Sequence, residues 1–394
     1  MNETKLHVAQ FRNFFFNPTE TFLYNYLISL ERIVPVCISL QKKNANQFPF
    51  PYTITELYKW NSKFRRGCRR ILKFFSPYIS TTKYDLPITF EILQKYNVRL
   101  LHAHFGYTGS QVLPVKHKAR VPLITTFYGE DVSKKSILLD WRRSYEKLFA
   151  EGELFLVEGP YMQKRLIEIG CPEDKIKIQH IAIDLRKYPF RMRLPKNKRE
   201  LVRILFCGSF REKKGLLYAL DAVRQVYTQN PRIEFIIIGD GELRPRVEEF
   251  LDRYQMRSYT HLLGFRPHSR MIEEMNAADL FIHPSITAKN GDSEGGAPTV
   301  ILEAQACGLP VISTYHADIP NVVIPNESAL LATERDSKKL MDNILLLLTA
   351  QDRWSTMGEL GRAFVYTHHD ILKEVKLLEN RYIALAEANI HAYS

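Results

Sequence analysis

Two carboxylates, Glu294 and Glu303, bound one short stretch, EGGAPTVILE, that runs on to Gly308. Gly295, Gly296 and Ala297 make a pliant turn, Pro298 suits the first position of a helix, Glu303 falls on that helix's second turn, and Gly308 stops it. A helix that begins this way presents free N–H groups and the positive end of its dipole, and glycines ahead of it let other atoms come close. A diphosphate is the natural guest. A second group lies upstream, where the strand-like VRILFC at 202–207 leads into GSFREKKG and places Ser209, Arg211 and Lys214 on one turn before a helix. Fixed cations stabilise departing negative charge best where water is excluded. Taken alone, Lys-Lys-Gly before a helix is more often a solvated turn; the Glu303 helix gives it weight.

Two weaker turns accompany them. IIIGDGEL at 236–243 follows a buried strand, and Gly239 and Gly241 would let a base and ribose approach the backbone, although such turns also arise for geometric reasons alone. Gly264-Phe265-Arg266 follows a further strand. In the first half, LHAHFG at 101–106 and TTFYGED at 125–131 close apolar runs. Open α/β sheets bind ligands at the carboxyl ends of their strands, so His104, Tyr128, Glu130 and Asp131 are expected to face a cleft. His102 and His104 are read as pointing to opposite faces of their strand, which argues against a chelate. With no Asp-x-Asp pair in the chain, no metal is expected. His368 and His369 read as surface residues at a helix start.

These segments together resemble the retaining family-four glycosyltransferases. Glu294 and Glu303 match that family's two acids, GSFREKKG is similar to its Gly-Arg-x-x-x-x-Lys-Gly turn, and NPTETF at 17–22, LHAHFG and TTFYGED look like the exopolysaccharide, colanic-acid type of member. The resemblance implies the GT-B architecture, with Glu294 beside the donor sugar and Glu303 accepting hydrogen bonds from the nucleotide ribose. It further implies that Lys214 grips the donor diphosphate with help from Arg211 or Ser209, and that Gly239, Gly241 and Phe265 lie near the ribose and base. There are departures. Eight residues separate the two acids instead of the usual seven, Ser209 stands at the family's arginine, and Tyr128 stands where many members have histidine. A tyrosine does not titrate near neutrality, which leaves Glu130, Asp131 or His104 for any general base.

The implied activity is transfer of a sugar, with retained configuration, from a nucleotide-diphosphate sugar to a hydroxyl of a surface polysaccharide or lipid-linked oligosaccharide. It would need neither metal nor other cofactor, and the leaving phosphate oxygen would take most of the acceptor's proton. The rival readings are a nucleotide-sugar epimerase or hydrolase, which would act on the donor alone, and a catalytically degenerate scaffold, which would bind donor without turnover.

At 394 residues, with 45% hydrophobic and 12% aromatic side chains, the chain can build two cores. Short apolar runs alternate with helical patterns, as in a doubly wound parallel sheet, first over residues 1–185 and again over 201–369. The stretch 186–200, with its prolines and charges, reads as a linker, and 370–394 as a helix returning to the first domain. Strands are expected at 6–11, 32–40, 99–105, 121–129, 153–159 and 175–183, then at 202–210, 232–243, 259–265, 279–285 and 309–315. From 334 onward the pattern is helical. The formal charge of +12 suggests an anionic partner, but residues 201–394 carry more acids than bases, and no nucleic-acid module accompanies the rest. Basic residues gather at 57–75 among apolar ones at helical spacing, which fits either an anionic membrane surface or a solvated basic face. Five scattered cysteines imply buried thiols, and the polar start implies a cytosolic location, at the inner face of the membrane if 57–75 rests there.

Overall fold

The computed structural model describes residues 5–393 apart from 17–20, 43, 45–47, 53, 58–83, 85–86 and 198. Most of NPTETF and nearly all of the basic 57–75 segment therefore lie outside the described residues. Seven parallel strands form the first sheet: β1 (Leu6–Phe15), β2 (Ile33–Lys42), β3 (Ile54–Glu56), β4 (Leu100–His104), β5 (Leu123–Thr126), β6 (Leu154–Val157) and β7 (Ile176–Ile178), in the order β3-β2-β1-β4-β5-β6-β7. Six more form the second: β8 (Val202–Cys207), β9 (Ile233–Ile238), β10 (Thr260–Gly264), β11 (Leu280–Ile282), β12 (Val311–Thr314) and β13 (Ala329–Ala332), in the order β10-β9-β8-β11-β12-β13. Strand order reverses between β1 and β4 and between β8 and β11, and a crevice opens beyond the carboxyl ends of the strands at such points. The near-continuous apolar runs of β8 and β9 follow from having both faces covered. β3 and β13 have no counterpart in the sequence reading.

Helices cover both sheets. In the first domain these are α1 (Thr21–Ile28), α2 (Pro87–Lys95), α3 (Gly106–Ala119), α4 (Glu130–Ser133), α5 (Lys135–Glu151) and α6 (Pro160–Glu168). The second carries α7 (Leu216–Gln229), α8 (Arg244–Arg253), α9 (His268–Ala277), α10 (Thr299–Ala306), α11 (Ser337–Thr349) and α12 (Arg353–His368), and α13 (Ile371–Tyr393) follows. α13 lies on the first domain. Its Tyr382 hydroxyl is 2.6 Å from His102 Nδ1, and its buried Glu379 accepts from the backbone N–H groups of Glu31 and Arg32 at 2.7 Å each. His368 and His369 end α12 instead of starting a helix, and His369 is buried with its Nδ1 2.8 Å from the Ile181 carbonyl. The chain crosses back to the first domain there, with Ile183 and Ile371 joined by a backbone hydrogen bond, so the residue is enclosed by both.

Most of the linking stretch is exposed, but Tyr188 and Arg193 are buried in it. Arg193 is 1% exposed, and its guanidinium donates to the carbonyls of Arg191 (2.6 Å), Met275 (2.6 Å), Ala278 (3.2 Å) and Cys307. Three of those carbonyls sit at the carboxyl ends of α9 and α10, where unpaired acceptors and the negative dipole end need a cation. Burial lowers the Arg193 pKa to about 10, which leaves it charged at neutral pH. Arg193→Met is expected to lower the stability of the second domain by about 3 kcal/mol, since it strands several buried acceptors. Urea unfolding with an unchanged midpoint would contradict this.

Candidate active site

One wall of the interdomain crevice is built by the second domain. Lys214 closes a 3-10 turn over Glu212–Lys214 that leads into α7, and its Nζ lies 2.8 Å from Glu294 Oε2. The turn needs Gly215, which is left-handed at φ 66° and whose Cβ would lie 1.8 Å from the Pro284 carbonyl oxygen. Glu294 Oε1 accepts from the Ser285 hydroxyl at 3.0 Å, and the Glu294 N–H donates to His316 Nε2 at 3.2 Å. Because that nitrogen accepts, the His316 proton sits on Nδ1 and is given to Glu334 at 2.6 Å. Burial alone would raise the Glu294 pKa, but Lys214 and Lys213 outweigh it and hold the carboxyl down at about 2. Lys213 is itself anchored to Asp292 at 3.1 Å and to the Ser293 carbonyl at 2.9 Å.

Glu303 faces the same crevice from α10. It is 5% exposed, and its Oε1 accepts from the Tyr188 hydroxyl at 2.8 Å and pairs with His268 Nε2 at 3.1 Å. Neither partner was singled out in the sequence: Tyr188 lies in the linker, and His268 opens α9 two residues after Gly264-Phe265-Arg266. The helix starts at Thr299 with Pro298 as its flanking residue, one position later than the sequence suggests, because Pro298 is extended (ψ 124°). No side chain caps this helix, and Ala297, Pro298, Thr299 and Val300 line the crevice together with Gly208, Ser209, Arg211, Lys214, Glu294 and Glu303. The space between the walls amounts to about 1600 Å³, open solvent included.

The opposite wall comes from the first domain through Phe22, Phe105, Tyr128, Glu130 and Glu158. His104 stands behind it, not in it. Gln10 Oε1 lies 3.0 Å from His104 Nε2, so that nitrogen carries the proton and Nδ1 accepts from the Tyr128 hydroxyl at 2.8 Å. Burial lowers the His104 pKa well below its ordinary value, so the ring is neutral and both nitrogens are occupied. Asp131 is likewise turned away from the crevice, accepting from the N–H groups of Gly106 at 2.9 Å and Tyr128 at 3.0 Å; burial raises its pKa to about 7. His102 and His104 share a face, with ring centroids 4.3 Å apart, as residues two apart on a strand must. The His102 nitrogens are taken by Tyr382 (2.6 Å) and Thr126 (2.7 Å), so the pair is a hydrogen-bonded core network.

The profile described as Glycosyl transferases group 1 matches residues 202–350, and the one described as Glycosyltransferase Family 4 matches residues 48–187. The amylovoran biosynthesis glycosyltransferase AmsK of Erwinia amylovora is 35% identical over 246 residues, which cover 62% of this chain and 60% of that protein. Escherichia coli WcaL, whose name places it in colanic acid biosynthesis, is 30% identical over 288 residues, 72% of this chain and 70% of WcaL. The chain belongs to the family-four glycosyltransferases. Its fold is that of Anabaena HepE, with a TM-score of 0.74 at 15% identity over 97% of this chain and all of HepE, and the architecture is GT-B.

In this family member the glycine turn does more than leave room for a ligand. Gly295 (φ 77°) lies against Gly129 (φ 107°) of the first domain: a Cβ on Gly295 would come 1.9 Å from Gly129 Cα, and one on Gly129 would come 2.3 Å from the Glu294 carbonyl oxygen. Gly296 meets the Glu158 side chain, not backbone, and neither Gly295 nor Gly296 lines the crevice. Gly239 and Gly241 also sit behind it, their left-handed backbones packed on the Gly208–Phe210 turn, and Phe265 is 68% exposed outside it. A third cross-domain contact caps a helix. Asp318, just after β12, accepts from the Tyr161 and Met162 N–H groups at 2.9 and 3.3 Å, closing the start of α6 with a carboxylate from the other domain. Gly129→Ala, with nowhere to put its methyl group, is expected to hold the domains apart, enlarging the radius of gyration in small-angle scattering while each domain stays folded. An unchanged radius would count against the glycine contact as a determinant of closure.

Proposed function

We propose that this protein moves a sugar from a nucleotide-diphosphate sugar to a hydroxyl of an exopolysaccharide or lipid-linked saccharide precursor, retaining the anomeric configuration. The observation that carries this reading is the convergence of Lys214, Glu294, Glu303 and the uncapped start of α10 on one wall of the crevice. Those groups match the needs of a nucleotide diphosphate in order. Glu303 has Oε2 free of partners among the described residues and accepts the ribose hydroxyls. The α10 N–H groups, Lys214 and Arg211 hold the phosphates and take up the charge that grows as the sugar leaves. The Arg211 side chain has no partner among the described residues and lines the crevice, which suits it to this work. Glu294, locked as a carboxylate, faces the sugar as an oxocarbenium-like centre develops. These cations let the reaction proceed without a divalent ion.

The relatives' names agree with an extracellular polysaccharide product, and HepE was crystallised with UDP and with UDP-glucose. A lipid-borne acceptor would bring the enzyme to the inner face of the cell membrane; among the described residues no helix is long and apolar enough to cross it. Glu303→Ala is expected to weaken nucleotide-diphosphate binding by about 10- to 100-fold, the worth of hydrogen bonds to a charged group. Calorimetry on whichever of UDP, GDP, ADP and dTDP raises the melting temperature of the native protein checks this, and unaltered affinity would remove Glu303 from the site.

A further inference from the structure

Besides Glu294, Glu303 and Glu130, a fourth carboxyl lines the crevice, and no motif includes it. Glu158 follows the last residue of β6 and lines the crevice, yet its carboxyl has no hydrogen-bond partner among the described residues. Only its backbone carbonyl is engaged, 2.9 Å from His180 Nδ1. The side chain reaches across to the other domain: a Cβ on Gly296 would lie 1.7 Å from Glu158 Oε2, so the carboxyl rests on the turn that leads into α10. It is thus carried by the domain opposite the donor groups but sits beside the helix start assigned to the diphosphate. That is the leaving group's side of the sugar.

Building on the donor assignment above, we propose that Glu158 is the general base of the transfer, taking the proton from the acceptor hydroxyl as its oxygen attacks the anomeric carbon. The new bond runs from the acceptor oxygen to that carbon, and the bond from the carbon to the phosphate oxygen breaks with its electron pair leaving on the nucleotide diphosphate. The proton rests on Glu158 and passes to the released diphosphate or to water. Retention requires attack on the face the diphosphate leaves, and only a base on that face can serve it; an inverting enzyme would need one across the ring. Glu158 takes the place of the leaving phosphate oxygen as first proton acceptor.

The surroundings make it a better base than its neighbours. Burial raises its pKa well above the ordinary carboxyl value, and the charges of Asp318 after β12, Asp131 on α4 and Glu294 on the facing wall raise it further, while Lys213 opposes them. Tyr128 stands near and is neutral. Glu294, at about 2, is too weak a base to hold a proton near neutrality. Two carboxyls in one crevice whose environments drive them apart divide the work between a permanent anion and a proton carrier. Of the remaining acids, Asp131 and Asp318 are committed to backbone N–H groups and Glu303 to Tyr188 and His268, and Glu130, which shares the wall with Glu158, is the comparison in the test below.

The test compares the native protein, Glu158→Gln and Glu130→Gln, with UDP-glucose and GDP-mannose as donor probes, water as acceptor, and UDP and GDP for binding. Glu158→Gln is expected to bind the nucleotide within about threefold of the native protein, yet to release it from the sugar at least about 100-fold more slowly. It should also lose the rise in rate that the native protein shows as pH climbs through the raised Glu158 pKa, because only the deprotonated form accepts. A rate within tenfold with that pH limb intact overturns the proposal, as does loss of the limb in Glu130→Gln with Glu158→Gln unaffected. Glu158→Gln losing nucleotide binding in step with its rate makes the residue part of the donor site and overturns the base. If the native protein binds neither nucleotide and cleaves neither sugar, the glycosyl-transfer reading fails and the base fails with it.

Discussion

The contact of two bare backbones, Gly129 on one domain and Gly295 on the other, is what makes one crevice out of two sheet edges. Any side chain at either position would meet main-chain atoms closer than atoms can approach, so the separation of the walls is set where neither chain can relax. Glu158 against Gly296 and Asp318 at the start of α6 continue the same seam. Gly129, Gly295 and Gly296 are buried along this seam, and electrostatic interactions beside it gain strength accordingly.

The ion pair of Lys214 and Glu294 is best understood in that setting. A buried pair contributes little net stability, because desolvation of both ions offsets their attraction. Its value lies in fixing charge. Lys214 keeps Glu294 ionised and aimed, Ser285 and His316 hold the carboxylate and its backbone from the other side, and Glu334 sets the histidine's tautomer. Each shell removes one freedom, so the groups need not reorganise as charge develops. Glu158 has no such shell.

The parts of this site that were legible in the sequence are those whose chemistry depends on neighbours in the chain. The glycine turn before α10, the strand-turn-helix around Lys214, and the alternation of apolar runs with helical patterns are local, and local steric rules write them into residue order. Where the reading went astray the cause was also local. Period-two geometry put His102 and His104 on one face, and the extended backbone at Pro298 moved the helix start by one residue. For His104 and Asp131, being at a strand's carboxyl end was necessary for facing the crevice but not sufficient. The shorter path to Gln10 and Tyr128, or to two nearby N–H groups, claimed their polar atoms first.

Residue order by itself determined a doubly wound α/β chain with an anion-seeking turn in its second half, because helix starts, glycine turns and buried parallel strands are specified within a dozen residues. Only the tertiary structure decided which acids share the crevice and in what charge state. The pKa of Glu294 depends on Lys214, eighty positions away, and that of Glu158 on Asp318 in the other domain. Desolvation and charge act through space over a few ångströms, and the chain that separates such partners carries no trace of their distance.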